Sequence, residues 1–158
     1  MSINHLPDHA KVWVYQSNRL LEEHEEKVLS QVMASFVSQW KAHGTELAAG
    51  FEIRDHRWLI LAVDETQQNA TGCSIDSSVH LIKDTGEKLG VDFFDRQLII
   101  YEQEGDRNED RMHDFWAKRK AGVVNDSTIV FNTLAKDLGE LRSKWATPFV
   151  ESWHAEMW

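Results

Sequence analysis

WLILAVDETQQNATGCSIDSSVH, residues 58–80, decides the reading of this chain. Trp58 to Val63 is an unbroken apolar run of strand length, and a run without alternation fits a strand covered on both faces. Asp64-Glu65 takes the chain out of the sheet. Thr66 to Thr71 is a polar loop, and Gly72 permits a sharp bend. Ser74 is a good N-cap residue, Asp76 suits the positive end of a helix, and Ile75, Val79, Ile82 and Leu89 recur at near-helical spacing. The stretch therefore predicts a buried strand, a loop and an amphipathic helix over 75–89, with Cys73 at the corner.

That corner holds most of the candidate chemistry. Backbone N–H groups at a helix start favour a thiolate or a bound anion, which makes Cys73 a candidate nucleophile or anion-side donor. The plainer reading is a small buried residue closing the turn, since free cysteine is among the most buried types. Asp76 and His80 stand i,i+4 on one flank, the spacing of a carboxylate–imidazole pair or of a solvated surface contact. His80 is the candidate base, with Asp64 or Asp95 as its orienting acid. Ser74, Ser77 and Ser78 carry hydroxyls, but no G-x-S-x-G elbow accompanies them.

Upstream, Lys11 to Gln16 (KVWVYQ) predicts a first strand and Arg19 to Ala42 a long helix. Leu21, Val28, Val32, Phe36 and Trp40 mark its buried stripe, with Leu29 and Met33 beside them. His43-Gly44 ends that helix, His43 being either a cation near its C-terminus or a site residue. Phe51 to Asp55 alternates as a half-exposed strand does. Downstream, Asp92-Phe-Phe-Asp95-Arg96 precedes a fourth strand, Gln97 to Gln103. Its two acids and Arg96 are either binding groups beside Cys73 and Asp64 or a turn with a local Asp–Arg pair.

Strand, helix, strand, strand, helix, strand is the ferredoxin-like βαββαβ order, an α+β sandwich with two helices on one face of an antiparallel sheet. Residues 11–104 make this core, 1–10 a disordered N-terminus, and 105–158 a mainly helical C-terminal extension packed on the core. Within the extension, 105–111 reads as a charged loop, 112–121 as a helix and 127–132 as an extended segment. Leu134 to Trp145 has helical spacing, and Thr147-Pro148 reads as the start of a last helical turn.

Composition limits the function. The 158 residues carry a net charge of −9 with no Lys/Arg cluster to offset it, which argues against nucleic acid or an anionic membrane as partner. A single cysteine rules out an internal disulfide and a multi-cysteine metal site, and no cofactor motif is present. A polar start and the lack of a long apolar run predict a cytoplasmic protein. Seven tryptophans suit cores and interfaces.

At WKAHG (40–44), LAVDE (61–65), GCSIDSSVH (72–80), DFFDR (92–96) and SWH (152–154) the chain resembles a family of small bacterial proteins often labelled ABC transporter ATPases. The resemblance runs from Lys11 to His154; it implies an intact shared fold and carries no catalytic residue over. Leu59 to Glu65 is similar to a Walker B strand, but the chain lacks the phosphate loop G-x-x-x-x-G-K-[ST]. Phe115, Gly122, Val124, Asp126, Thr128, Val130 and Trp145 are spaced like the tail half of peptide-binding GYF-like modules, without their aromatic core. The leading expectation is a non-enzymatic protein that binds a protein partner or itself. The alternative is a small-ligand protein or enzyme working at Gly72–His80, where the binding candidates are Asp64, Glu65, Ser74, Asp92, Asp95, Arg96 and His43.

Overall fold

In chain order the elements are β1 (Lys11–Gln16), α1 (Glu23–Gln39), β2 (Lys41–Ala42), β3 (Thr45–Glu46), β4 (Ala48–Arg54), β5 (Trp58–Asp64) and α2 (Gly72–Leu89). They continue as β6 (Leu98–Gln103), β7 (Asp106–Arg111), α3 (Met112–Lys120), β8 (Ile129–Phe131), α4 (Leu138–Lys144), β9 (Ala146–Pro148) and α5 (Trp153–Glu156), with a 3₁₀ turn at Phe149–Glu151. These come from a computed structural model that describes residues 2–158; Met1, the first residue of the expected disordered segment, lies outside the described residues.

The fold is mixed α+β with antiparallel sheets. The first sheet has the order β1-β5-β4, with Val14 opposite Ile60 and Ile53 opposite Leu59. Every residue of β5 from Trp58 to Val63 is buried, as the apolar run predicts. The pleat sends alternate side chains to opposite faces. Leu59, Leu61 and Val63 meet Leu29, Met33 and Val37 of α1 and Ile82 of α2. On the other face Ile60 and Ala62 meet Ile3, Leu6, Leu138 and Leu141, while Trp58 meets Ile100 and Phe131 of a second sheet. Each buried Leu, Ile or Val of this strand contributes about 1.5–3 kcal/mol, so β5 is a main anchor of both cores.

The second sheet corrects the expected topology. Its order is β7-β6-β8-β9, so the strand at 98–103 does not join the first sheet as a ferredoxin-like fold requires. Two features explain this. The free edge of β1 is occupied near its start, where Lys11 bridges Asp137 and the Val12 amide donates to the Lys136 carbonyl at 3.1 Å. β6 itself is apolar on both faces: Ile99 and Tyr101 pack on Phe115, Val124, Val130 and Phe149, while Ile100 packs on Trp58. A strand of that kind needs cover on both faces, which a ferredoxin-like sheet, with helices on one face only, does not give. At its start it still touches β1, through the Gln16 amide donating to the Leu98 carbonyl at 2.8 Å.

The C-terminal extension is accordingly not mainly helical. Residues 106–111, expected as a loop, form β7, a wholly polar strand that closes a hairpin on β6. Glu104 and Gly105 turn that hairpin with φ of 53° and 84°, the positive-φ pair that a two-residue hairpin favours. Thr147-Pro148 ends strand β9 rather than capping a helix. Residues 2–10 are packed rather than disordered: Ile3, Leu6 and Ala10 are buried, and Arg142 donates to the carbonyls of Ile3 and Leu6 and pairs with Asp8.

The buried stripe of α1 is also displaced by one position. Leu29, Met33 and Val37 enter the core, whereas Val32 and Phe36 are half-buried and Val28 is 40% exposed. The apolar arc of this helix is wider than the sheet beneath it needs, and its surplus edge faces α2.

Candidate functional site

The site begins where α1 ends. Trp40 leaves the helix in an extended conformation and buries its ring against Trp13 and Phe36, at centroid distances of 6.3 and 5.2 Å. Its indole Nε1 donates to the Ser74 carbonyl at 2.9 Å, tying the end of α1 to the first turn of α2. The chain then folds back as the short β2–β3 hairpin, with His43 and Gly44 at its tip. His43 is thus a turn residue at φ 52°, not a charge on the helix end.

α2 starts earlier than its sequence predicts. Thr71, not Ser74, is the N-cap: its hydroxyl accepts from the Ser74 amide at 3.2 Å, and the Ser74 hydroxyl accepts from the Thr71 amide at 2.7 Å. This reciprocal pair satisfies two of the amides that a helix start leaves open. Ser74 is buried and committed to the cap. Cys73 sits inside the first turn and is exposed, so the reading of a buried corner residue does not hold.

Two adjoining hollows open at this junction. One, of about 670 Å³, runs between the helices and is lined by Val32, Phe36, Trp40 and Leu81, with polar margins that include Gln39 and Ser77. The other, of about 380 Å³, is lined by Lys41, Ala42, His43, Thr71, Cys73 and Ser77, among others. Lys41 and Ser77 border both. Side by side they give the junction an apolar stretch and a polar end that carries a thiol, an imidazole, an ammonium and hydroxyls.

Of the residues singled out in the sequence, His43, Cys73, Ser74 and Ser77 come together here. The others are elsewhere. Asp76 and His80 are exposed on α2 and, among the described residues, form no ion pair with each other. Asp64 is held by the loop that follows β5: its Oδ1 accepts from the Thr66 hydroxyl and amide, and His9 Nε2 lies at 3.3 Å. These contacts, the Thr66 hydroxyl first, keep its carboxyl below the usual carboxylate range. Glu65 accepts from the Ala70 amide at 2.8 Å. Both acids therefore shape a loop.

Asp92 accepts from the Phe94 amide at 2.8 Å and Asp95 from the Gln97 amide at 3.0 Å. Asp95 pairs with Arg111 of β7 at 2.5 Å rather than with Arg96, which is exposed; that contact holds the Asp95 carboxyl low. The local Asp–Arg pair is thereby corrected. β7, absent from the sequence reading, supplies the partner.

Sequence reasoning missed the groove floor. Val32, Phe36 and Trp40 were legible only as one stripe of an amphipathic helix, and Leu81 had no pattern of its own. The width of the α1 apolar arc was the available signal. Two polar features away from the groove were also missed. Tyr101 donates to Asp110, and Lys118 donates to the same carboxylate at 2.8 Å. Burial pushes the Tyr101 phenol above its ordinary range, and the Asp110 bond adds to this. His154 is buried, its Nδ1 is without a hydrogen-bond partner, and desolvation lowers its pKa to about 4.

Among the described residues no group of three or more His, Cys, Asp or Glu side chains is placed to hold a metal ion, and no helix is long and apolar enough to cross a membrane. Comparison with known protein families, with curated proteins and with solved structures returns no match.

Proposed function

We propose that the chain is a non-enzymatic, cytoplasmic protein-interaction module that takes an apolar side chain of a protein partner into the groove between α1 and α2. The observation that carries this reading is the apolar hollow between the helices, bordered by a polar one that shares Lys41 and Ser77 with it. An apolar trough flanked by polar groups is the arrangement in which a partner's aromatic or aliphatic anchor is desolvated while its neighbours keep hydrogen bonds. Phe36 and Leu81 supply the apolar contact. Gln39, Lys41 and Ser77 supply donors and acceptors around it. The net charge of −9 favours a partner that is not itself acidic.

Selection of displayed peptides on the immobilised protein tests this. The expected binders carry an aromatic or large aliphatic anchor, and Leu81→Glu abolishes their binding while leaving the unfolding transition in place. Binders that ignore Leu81→Glu would remove the groove from consideration.

A second reading rests on a separate observation, the exposure of Cys73 in the hollow that His43 also lines. Here Cys73 is a thiol nucleophile or covalent anchor, with His43 rather than His80 as the neighbouring base. Native-state labelling with a disulfide probe discriminates. This reading requires His43→Ala to slow labelling with the fold intact, and equal rates in both proteins would eliminate it.

A further inference from the structure

The molecule manages all but one of its long sheet edges. β7 carries only charged and amide side chains, DRNEDR. β9 is three residues long and includes Pro148. β1 is bridged at Lys11, and the Gln16 side chain reaches across to Leu98. Charge, brevity, proline and cover are the standard means of preventing edge-to-edge pairing. β4 has none of these along most of its length. It is seven residues long, AAGFEIR, and closes one side of the first sheet. Among the described residues, no backbone group outside β5 bonds to it from Ala48 to Ile53. Its charged side chains neutralise each other, Arg54 Nε lying 2.5 Å from Glu52 Oε2.

From this edge we infer that two copies of the chain pair antiparallel through β4, about a two-fold axis at Phe51. The inference goes beyond the groove reading, because it concerns the opposite flank of α1 and a different occupant. The sequence of the strand fits the register. Its first half is small (Ala48, Ala49, Gly50) and its second half large (Glu52, Ile53, Arg54). Pairing about Phe51 sets Ala48 opposite Arg54 of the second copy, Ala49 opposite Ile53 and Gly50 opposite Glu52. Phe51 meets its own copy as an aromatic pair, every other large side chain faces a small one, and no like charges are opposed, an arrangement that favours cross-strand pairing. A register shifted by one residue toward the C-terminus would oppose Glu52 to Glu52.

The helix above the strand agrees. Glu26 Oε2 lies 2.5 Å from His56 Nδ1, which fixes the flank of α1 over the turn that follows β4. At i+4 spacing from Glu26 that flank carries Ser30 and Ala34, side chains small enough to admit the α1 of a second copy. The product is a closed, isologous dimer with a continuous six-stranded sheet, β1-β5-β4-β4-β5-β1.

Light scattering on the full chain over a range of concentrations, with amide exchange read residue by residue, tests the pairing. The expected result is a doubling of mass and slowed exchange at the β4 amides turned away from β5, growing with the dimer fraction. A Cys73→Ser, Phe51→Cys variant should cross-link to a disulfide dimer under mild oxidation. Should that variant misfold, the exchange measurement on the unmodified chain still decides. A monomer at every concentration overturns the inference. So does a dimer whose outward β4 amides exchange as fast as free backbone, since the copies would then meet elsewhere. Either outcome leaves the groove reading to its own test.

Discussion

The indole of Trp40 and the carbonyl of Ser74, 2.9 Å apart, join the end of α1 to the start of α2 across 34 residues of sequence. The bond is buried, and it holds the two helices at the point where the apolar and polar hollows meet. Trp40→Phe keeps an aromatic ring against Trp13 and Phe36 and removes the donor together with part of the buried indole. The expected cost is about 1–3 kcal/mol from the lost bond and the lost ring volume, seen as a lower urea midpoint with an unchanged denaturant slope. A variant as stable as the parent would mean that this bond does not fix the junction.

Gly86 provides a test with an inverted sign. Alanine in a helix interior is ordinarily about 1 kcal/mol better than glycine. Here an added Cβ would lie 2.6 Å from the Val91 backbone oxygen and 3.3 Å from the Phe93 ring. The oxygen belongs to the backbone just beyond α2 and has little room to retreat. Gly86→Ala is expected to lose about 1–3 kcal/mol in spite of its helix propensity. A rise in melting temperature would show that the 86–93 corner is looser than described.

Burial of His154 beside Phe115 and Trp153 lowers its pKa to about 4, against about 6.5 in an unfolded chain. Between those values the unfolded state binds the proton and the folded state does not. The stability that depends on the neutral imidazole is therefore complete above pH 6.5 and is lost as pH falls towards 4, by about 3 kcal/mol at most. His154→Leu should flatten the pH dependence of unfolding in this window. Parallel curves for the two proteins would contradict the assignment.

Glu25 titrates lower. Arg19 donates to both of its carboxylate oxygens, at 2.8 and 2.7 Å, and the Glu22 amide adds a third bond at 2.9 Å. Led by Arg19, these bring its pKa to about 2. A folded-state value depressed from the usual carboxylate range gives stability that is present above about pH 4.5 and lost as pH falls through 2. Glu25→Gln keeps an acceptor for Glu22 and loses the ion pair. Its melting temperature should sit a few degrees below the parent at neutral pH, with the gap closing in acid. A gap independent of pH would assign the loss to packing instead.

The apolar run at 58–63 was legible because a strand covered on both faces needs no alternation, and nothing nearby competes with it. The groove was not, because Val28, Val32 and Phe36 and their neighbours Leu29, Met33 and Val37 offer two overlapping stripes, and only the position of β4 and β5 beneath the helix selects between them. The second sheet was hidden for a related reason. Asp106 to Arg111 has no apolar residue, and its strand state comes from pairing with β6 and from the turn at Glu104-Gly105. Asp95 consequently found a partner, Arg111, that local sequence did not offer. Thr71 and Ser74 are both sound cap residues by identity, and only the fold shows that the two act reciprocally with Thr71 as the N-cap.

The guanidinium of Arg142 gathers the carbonyls of Ile3 and Leu6 and the carboxylate of Asp8, partners 134 to 139 positions away along the chain. Loop-closure entropy for such a contact must be met before the contact returns anything, so it belongs to the last stage of folding. During synthesis the opening residues wait with Ile3 and Leu6 uncovered until α4 has emerged from the ribosome. The back of β5, including Ile60 and Ala62, waits with them. For that interval the nascent chain exposes an apolar surface that the finished molecule conceals.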